Sequence, residues 1–315
     1  MRKGHFIWED AQGINHYVYE WLPSEDADVK GIVQIAHGMA ETAARYARLA
    51  EFLTKNGYAV YANDHLGHGQ TAGSLEAVGK FGKDSFHAMA EVMGQITRQI
   101  RSRYLQETPL FVLGHSMGSF LTQYYMGSFI VDHPSHVQGI LLSGSNGKQG
   151  AALHVGIGIA SIEAAFRGDH YRSLMLTALS FGSFNASFKP NRTPFDWLSR
   201  DEREVDAYMN DPYCGAVFTS GYFRDFFKGL QEINQTIHRQ RIRKDMPIYI
   251  FSGEEDPVGV HGKGVRKLIK AYEAMGVQDL TYKLYPGGRH EMLNETNRDE
   301  VMADIVGWLD TRVNR

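Results

Sequence analysis

Two hydrophobic periods alternate along the first half of the chain. Short, almost unbroken apolar runs at residues 31–36, 58–62, 110–113 and 138–142 predict strands buried on both faces. Between the second and third runs, Phe86, Met89, Met93, Ile96 and Ile100 recur every three or four residues and line one face of a helix. Asp84 is the expected N-cap of that helix, its charge matching the positive end of the dipole. A second helical pattern occupies 120–130. Strand, helix, strand in this order calls for a mostly parallel sheet covered by helices on both sides.

The same alternation returns near the C-terminus, with strands expected at 247–251 and 280–285. Between them Val265, Leu268, Ile269, Tyr272 and Met275 form a helical stripe that Gly276 closes as a C-cap. Val301, Ile305, Trp308 and Leu309 form a last amphipathic helix, and residues 6–8 and 17–22 read as a leading hairpin. The stretch 146–212 breaks the pattern. It holds small and aromatic residues at loose helical spacing (151–166, then 174–188), with Pro190 and Pro194 as breakers. It is too long for a simple loop. The expected division is therefore an α/β core of 1–145 and 213–315 with a helical cap, 146–212, over the carboxyl edge of the sheet, where open α/β sheets bind ligands. A peripheral helical subdomain is the plainer alternative.

Composition narrows the function classes. The 315 residues carry a net charge of −3, without the basic surplus that nucleic-acid binding requires. The single cysteine, Cys214, has no internal partner for a disulfide. No run approaches the roughly 20 apolar residues of a membrane span, and the first ten residues meet Glu9 and Asp10 before any apolar stretch, unlike a signal peptide. The cytoplasm is the expected setting.

The chemistry centres on Gly114-His115-Ser116-Met117-Gly118, which follows a strand and opens a helix. This is the pattern of a nucleophile elbow, whose turn is so tight that the residues flanking the serine must lack bulk. A serine hydroxyl needs a base to take its proton and an acid to orient that base, in the chain order Ser, acid, His. Glu254, Glu255 and Asp256, on a loop after one strand, are the candidate acids, and His290, on the loop after the next, is the candidate base. The tetrahedral intermediate needs two backbone N–H donors, and position assigns them to Met117 and to Met39 in the loop after 31–36.

Plainer readings hold elsewhere. His37, His65 and His68 read as structural, and His115 as a packing residue. Asp64, His65 and His68 lack the further ligands a metal site needs, so no metal is expected. Cys214 reads as a small buried or hinge residue, and Arg239, Arg241, Arg243 and Lys244 as a solvated helix end. Met175, Leu176, Leu179, Phe181, Phe184 and Phe188 exceed what a thin helical layer can bury. Of these, Met175, Leu179, Phe181 and Phe184 are the candidates for lining a substrate pocket, and the cap's apolar surplus equally fits transient contact with a membrane or lipid interface.

Taken together, His37-Gly38-Met39-Ala40-Glu41, the 64–71 loop, Gly114–Gly118, Asn210-Asp211-Pro212, Asp256-Pro257 and the 290–295 segment resemble the α/β-hydrolase superfamily. The branch they resemble is that of the monoacylglycerol lipases and lysophospholipases among the serine aminopeptidase S33-type hydrolases. Thr71 stands where that branch commonly has Ser, and Ser145 where it has Pro. The resemblance implies Asp256 as the acid, with Pro257 ending the turn after it. It also implies a cap that contacts the acyl chain, and hydrolysis of single-chain acyl esters without metal or organic cofactor. A proline-releasing aminopeptidase shares such a core but needs a cap acid for the substrate's amino group, for which Glu163, Asp169 and Asp196 are available. A hydrolase-fold binding protein without chemistry is the reading from a different class.

Overall fold

A computed structural model describes residues 1–313. Strands β1 (Arg2–Glu9) and β2 (Asn15–Leu22) form the leading hairpin, whose turn is tied by Asp10 accepting the amides of Gln12 and Ile14 and meeting His16 Nε2 at 2.9 Å. They precede β3 (Gly31–Ala36), β4 (Tyr58–Asn63), β5 (Leu110–His115), β6 (Gly139–Ser143), β7 (Ile248–Gly253) and β8 (Leu280–Tyr285). One eight-stranded sheet results, ordered β1-β2-β4-β3-β5-β6-β7-β8, antiparallel at the β1–β2 and β2–β4 pairs and parallel beyond.

Every residue from β3 to β7 within the strands is buried, which is why their sequences read as runs rather than alternations. Alternate side chains serve two separate cores. Ile32, Val112 and Ile140 pack under α2 (Ser85–Arg101), α3 (Met117–Gly127), α8 (Ser220–Glu232) and α10 (Lys263–Met275), whereas Val33, Ile35 and Leu113 pack against α1 (Ala47–Lys55) and α11 (Arg298–Val313). The remaining helices are α4 (Phe129–Asp132), α5 (Ala151–Arg167), α6 (Leu174–Phe181), α7 (Glu202–Asn210) and α9 (Thr236–Gln240). Among the described residues no helix is long and apolar enough to cross a membrane.

Register decides where chemistry sits. Ala36 pairs with Gly114, His115 with Ser143 and Gly253 with Tyr285, so the loops after β3, β5, β6, β7 and β8 leave from one edge.

Several local expectations are revised. Asp84 stands at the N-cap of α2, but in the left-handed conformation its side chain turns to His87 Nδ1 at 2.5 Å. The first amide of that helix, Ser85 N–H, instead donates to Asp225 of α8 at 3.1 Å. The 120–130 helix is two pieces broken at Ser128, and the 174–188 helix ends at Phe181, followed by a 3-10 turn, Phe184–Phe188. Gly276 does close α10 in the left-handed conformation, φ +80°. Helix α8 goes beyond the sequence reading, although Tyr222, Phe223, Phe226 and Leu230 keep helical spacing and are buried.

Candidate active site

Ser116 sits alone between the last residue of β5 and the first of α3, with φ +51° and ψ −118°. A non-glycine residue there is strained, and the strain is held by packing: a Cβ on Gly118 would strike the carbonyls of Ala36 and His37, and one on Gly114 the Gly118 carbonyl and the Thr122 hydroxyl. Glycine is therefore the only residue that lets β3, β5 and α3 meet with Ser116 projecting between them. The Ser116 amide is fixed to the Ser143 carbonyl at 2.9 Å.

The loops after β7 and β8 meet as buried partners. His290 Nδ1 lies 3.0 Å from Asp256 Oδ1, while Asp256 also accepts the Ser252 hydroxyl (3.0 Å) and the Val258 amide (2.9 Å). Burial pushes the Asp256 pKa up, but the His290 charge and these hydrogen bonds outweigh it and hold the carboxyl below its ordinary range. For His290, burial pushes down and Asp256 pushes up, with the net value raised. Glu254 and Glu255 face Arg266 and His261 at 3.6 and 3.5 Å, and neither forms a hydrogen bond or ion pair with His290. Ser116 and His290 line the same cavity without a hydrogen bond between them, a looseness common in such pairs before substrate arrives.

The loop after β3 runs beside Ser116 and is braced from beneath. His37 Nδ1–H donates to the Gly38 carbonyl (2.7 Å) and its Nε2 accepts the His65 amide (2.9 Å), whereas His68 Nε2 accepts the Ala40 amide (3.3 Å). Burial pushes His37 down to about 4 and His68 down to about 3, so both rings are neutral braces near pH 7. Asp64 holds the amides of Ala43 and Gln70 at 2.8 and 2.7 Å. These partners support Ala40 at φ +60°. The Met39 amide donates to no other group among the described residues, and the Met117 amide is one of the first-turn donors of α3.

A buried network that the sequence reading did not find ties this loop to the His290 loop. Arg45 bridges Glu41 (2.6 Å) and both carboxylate oxygens of Glu291 (2.6 and 2.7 Å), and Glu41 in turn accepts the Gly38 amide (2.5 Å) and the Tyr46 hydroxyl (2.9 Å). Its only sequence signal is Glu41 and Arg45 at helical spacing; Glu291 lies 246 residues from Arg45.

Over Ser116 and His290 lies a cavity of about 260 Å³, walled by α6, by the 194–198 segment and by Tyr208, Gly215 and Ala216. Of the four pocket candidates, Phe181 is in its wall. Phe184 stands behind the wall, its ring 4.9 Å from that of Trp197, and Met175 and Leu179 project outward from α6, being 48% and 62% exposed. Short α6 is apolar all round, so spacing alone did not tell its inner from its outer side. The three acids offered for a substrate amine are engaged elsewhere: Glu163 accepts the Ser220 hydroxyl (2.9 Å), Asp169 pairs with Arg224 (2.6 Å), and Asp196 accepts the amides of Arg192 and Thr193 (2.6 and 3.1 Å). None of the three lines the cavity. Burial pushes the Cys214 thiol well up, which disfavours the thiolate, and no cluster of His, Cys, Asp and Glu among the described residues could hold a metal ion.

The wall segment is clasped to the loop that carries His290. The His290 and Glu291 amides donate to the carbonyls of Trp197 (3.3 Å) and Leu198 (2.8 Å), and the Arg289 guanidinium donates to the carbonyls of Asp196 and Ser199 at 2.5 and 3.1 Å. Buried Glu295 accepts the Arg289 amide (2.9 Å), the Arg200 amide (3.1 Å) and Arg200 Nε (2.8 Å).

Comparison with known proteins finds relatives over nearly the whole chain. The family model described as "Serine aminopeptidase, S33" matches residues 27–297. A monoacylglycerol lipase of Mycolicibacterium smegmatis is 27% identical, over 93% of this chain and 92% of its own length. A monoglyceride lipase of Rattus norvegicus is 26% identical, over 98% of this chain and 90% of its own. A thermostable carboxyl esterase from Bacillus coagulans, solved in complex with glycerol, superposes with a TM-score of 0.87 over 99% of both chains at 26% identity.

Proposed function

We propose that this chain, which belongs to the serine aminopeptidase S33 family of α/β-hydrolases, cleaves carboxylic esters of a single acyl chain, a monoacylglycerol or a lysophospholipid. It is an esterase/lipase-like hydrolase of the monoacylglycerol lipase branch, as its full-length relatives indicate. The observation that carries the finer reading is the buried His290–Asp256 pair, 3.0 Å apart, opening onto the cavity that also holds the strained Ser116.

Ser116 Oγ attacks the ester carbonyl as His290 Nε2 takes its proton, and Asp256 keeps the other ring nitrogen protonated and oriented. The oxyanion rests on the Met39 and Met117 amides. His290 passes the proton to the leaving alcohol, then activates a water that releases the acyl group and restores Ser116. The chemistry needs no cofactor. Residues 146–212 act as the cap over 1–145 and 213–315, with Phe181 toward the acyl group and the exposed apolar side of α5 and α6 toward a lipid interface.

The family's name covers peptidases too. Against that branch stand Glu163, Asp169 and Asp196, all occupied and none in the cavity.

Monoacylglycerols, lysophospholipids and p-nitrophenyl esters of rising chain length, assayed beside proline p-nitroanilide, test the reading. Turnover of acyl esters that vanishes in Ser116→Ala is expected. Turnover of the anilide alone would transfer the protein to the peptidases, and silence on all substrates together with no fluorophosphonate labelling of Ser116 would leave a binding protein.

A further inference from the structure

Beside the general base lies an aromatic face that the triad does not account for. The Trp197 and His290 rings are 5.1 Å apart between centroids and tilted by 36°, and Trp197 also walls the cavity. On resting His290 this is a packing contact. During the reaction His290 becomes an imidazolium, and a cation within about 6 Å of an indole face is attracted by its quadrupole.

We propose that Trp197 takes part in the reaction twice, walling the acyl side of the cavity and stabilising the His290 imidazolium formed when Ser116 gives up its proton. The proposal rests on the Ser116–His290–Asp256 reading above. The proton balance is unchanged: it moves from Ser116 Oγ to His290 Nε2 and on to the leaving alcohol, and Trp197 acts only while His290 holds it.

Geometry keeps the indole in place. The Trp197 amide donates to Asn185 Oδ1 at 2.8 Å, its carbonyl accepts the His290 amide at 3.3 Å, and Phe184 packs edge-on against its ring at 4.9 Å. Only 8% of the residue is exposed, so water competes little for the contact. The other groups facing the base are Asp256, Glu41 and Glu291, with Arg45 behind the two glutamates, and His115, whose ring lies 4.7 Å from that of His290. Burial and the His290 charge push His115 down to about 4, so it is neutral when His290 titrates. Trp197 is thus the neighbour that favours the charged ring by its π face rather than by a formal charge.

The test is the pH profile of kcat/KM on a soluble p-nitrophenyl ester for wild type, Trp197→Phe and Trp197→Leu, with fluorophosphonate titration of Ser116 giving the active fraction. In Trp197→Leu the acid limb is expected to move down by about 0.5 pH unit, with less movement in Trp197→Phe, which keeps an aromatic face. Both variants should shift the preferred acyl length upward. Ring-fluorinated tryptophan, incorporated throughout the chain, weakens the π face at nearly constant shape. It should lower the limb in wild type and leave it unmoved in Trp197→Phe, and it decides the matter if the Leu variant fails to fold. A limb that stays fixed in every fully labelled protein overturns the proposal. A wild-type enzyme that hydrolyses esters but is not labelled at Ser116 would instead overturn the triad on which it rests.

Discussion

The stretch between β6 and α8 contains two regions bound to the rest of the molecule by different forces. Helices α5 and α6 adhere chiefly through apolar packing, with the Glu163–Ser220 hydrogen bond (2.9 Å) and the Ser173 amide on the Phe218 carbonyl (2.9 Å) as directed contacts: Ala160 and Ala164 are buried, while Val155, Ile162, Phe166, Leu174 and Leu179 on the same helices are each 60% exposed or more. Residues 194–201 are held instead by directed polar contacts, their carbonyls and Arg200 gripping Arg289, His290, Glu291 and Glu295. Packing is non-directional and tolerates sliding, whereas hydrogen bonds fix position to a few tenths of an ångström. The contrast teaches that the wall touching His290 is registered with it, and that the outer helices are suited to adapt to what arrives.

The contrast is tested most severely at His290 and Ser116. His290→Ala should lower kcat by about 10⁴-fold or more, as should Ser116→Ala, with an unchanged far-ultraviolet spectrum. Residual turnover within tenfold of wild type in either would end the assignment.

Asp256→Asn comes next, with an expected fall of up to about 10⁴-fold, whereas Glu254→Ala and Glu255→Ala should stay within about twofold. The same variant reports on pH. In the proposed mechanism His290 must be neutral to accept the Ser116 proton, and its pKa is raised above the ordinary 6.5 mainly by Asp256 against burial. The kcat/KM of wild type should therefore rise with pH through a midpoint above 6.5, and Asp256→Asn, having lost the raising charge, should carry that midpoint downward.

A smaller effect tests the clasp. Glu295→Gln leaves Arg200 without its ion pair and weakens acceptance of the Arg289 amide. A loss of about 2 kcal/mol in urea unfolding is expected, together with a kcat reduced about tenfold at little-changed KM. A KM effect alone would show that the clasp shapes the pocket without positioning the base.

The smallest change on soluble esters belongs to the outer face. Phe166→Ser with Leu174→Ser should alter stability by less than about 0.5 kcal/mol and leave p-nitrophenyl ester kinetics intact, while reducing co-sedimentation with lipid vesicles. Equal loss on soluble and vesicle substrates would erase the distinction between the two regions.

These regions also differ in how much of them was legible in the sequence. The sheet was legible because strands buried on both faces are mostly apolar, and the elbow because only glycine fits at 114 and 118. Asp256 and His290 were singled out from order and from their place after strands, and the structure sets them 3.0 Å apart. The clasp was not, because Arg200 and Glu295 lie 95 residues apart and each alone looks like a solvated charge. The facing of α6 was obscured because apolar residues occupy every side of a two-turn helix, and Phe184, expected beside substrate, stands behind Trp197 because the helix stops at Phe181. Asp84 misled for a different reason: capping is a local rule, and here Asp225 from a distant helix supplies the acceptor.

The clasp has a bearing on how such an enzyme changes. Because the wall beside His290 is tied down by backbone contacts outside α5 and α6, those two helices are expected to be exchangeable as a unit. Grafting in a relative's outer helices would retune which esters gain entry, and recombination could explore new substrates without reassembling the machinery that cleaves them.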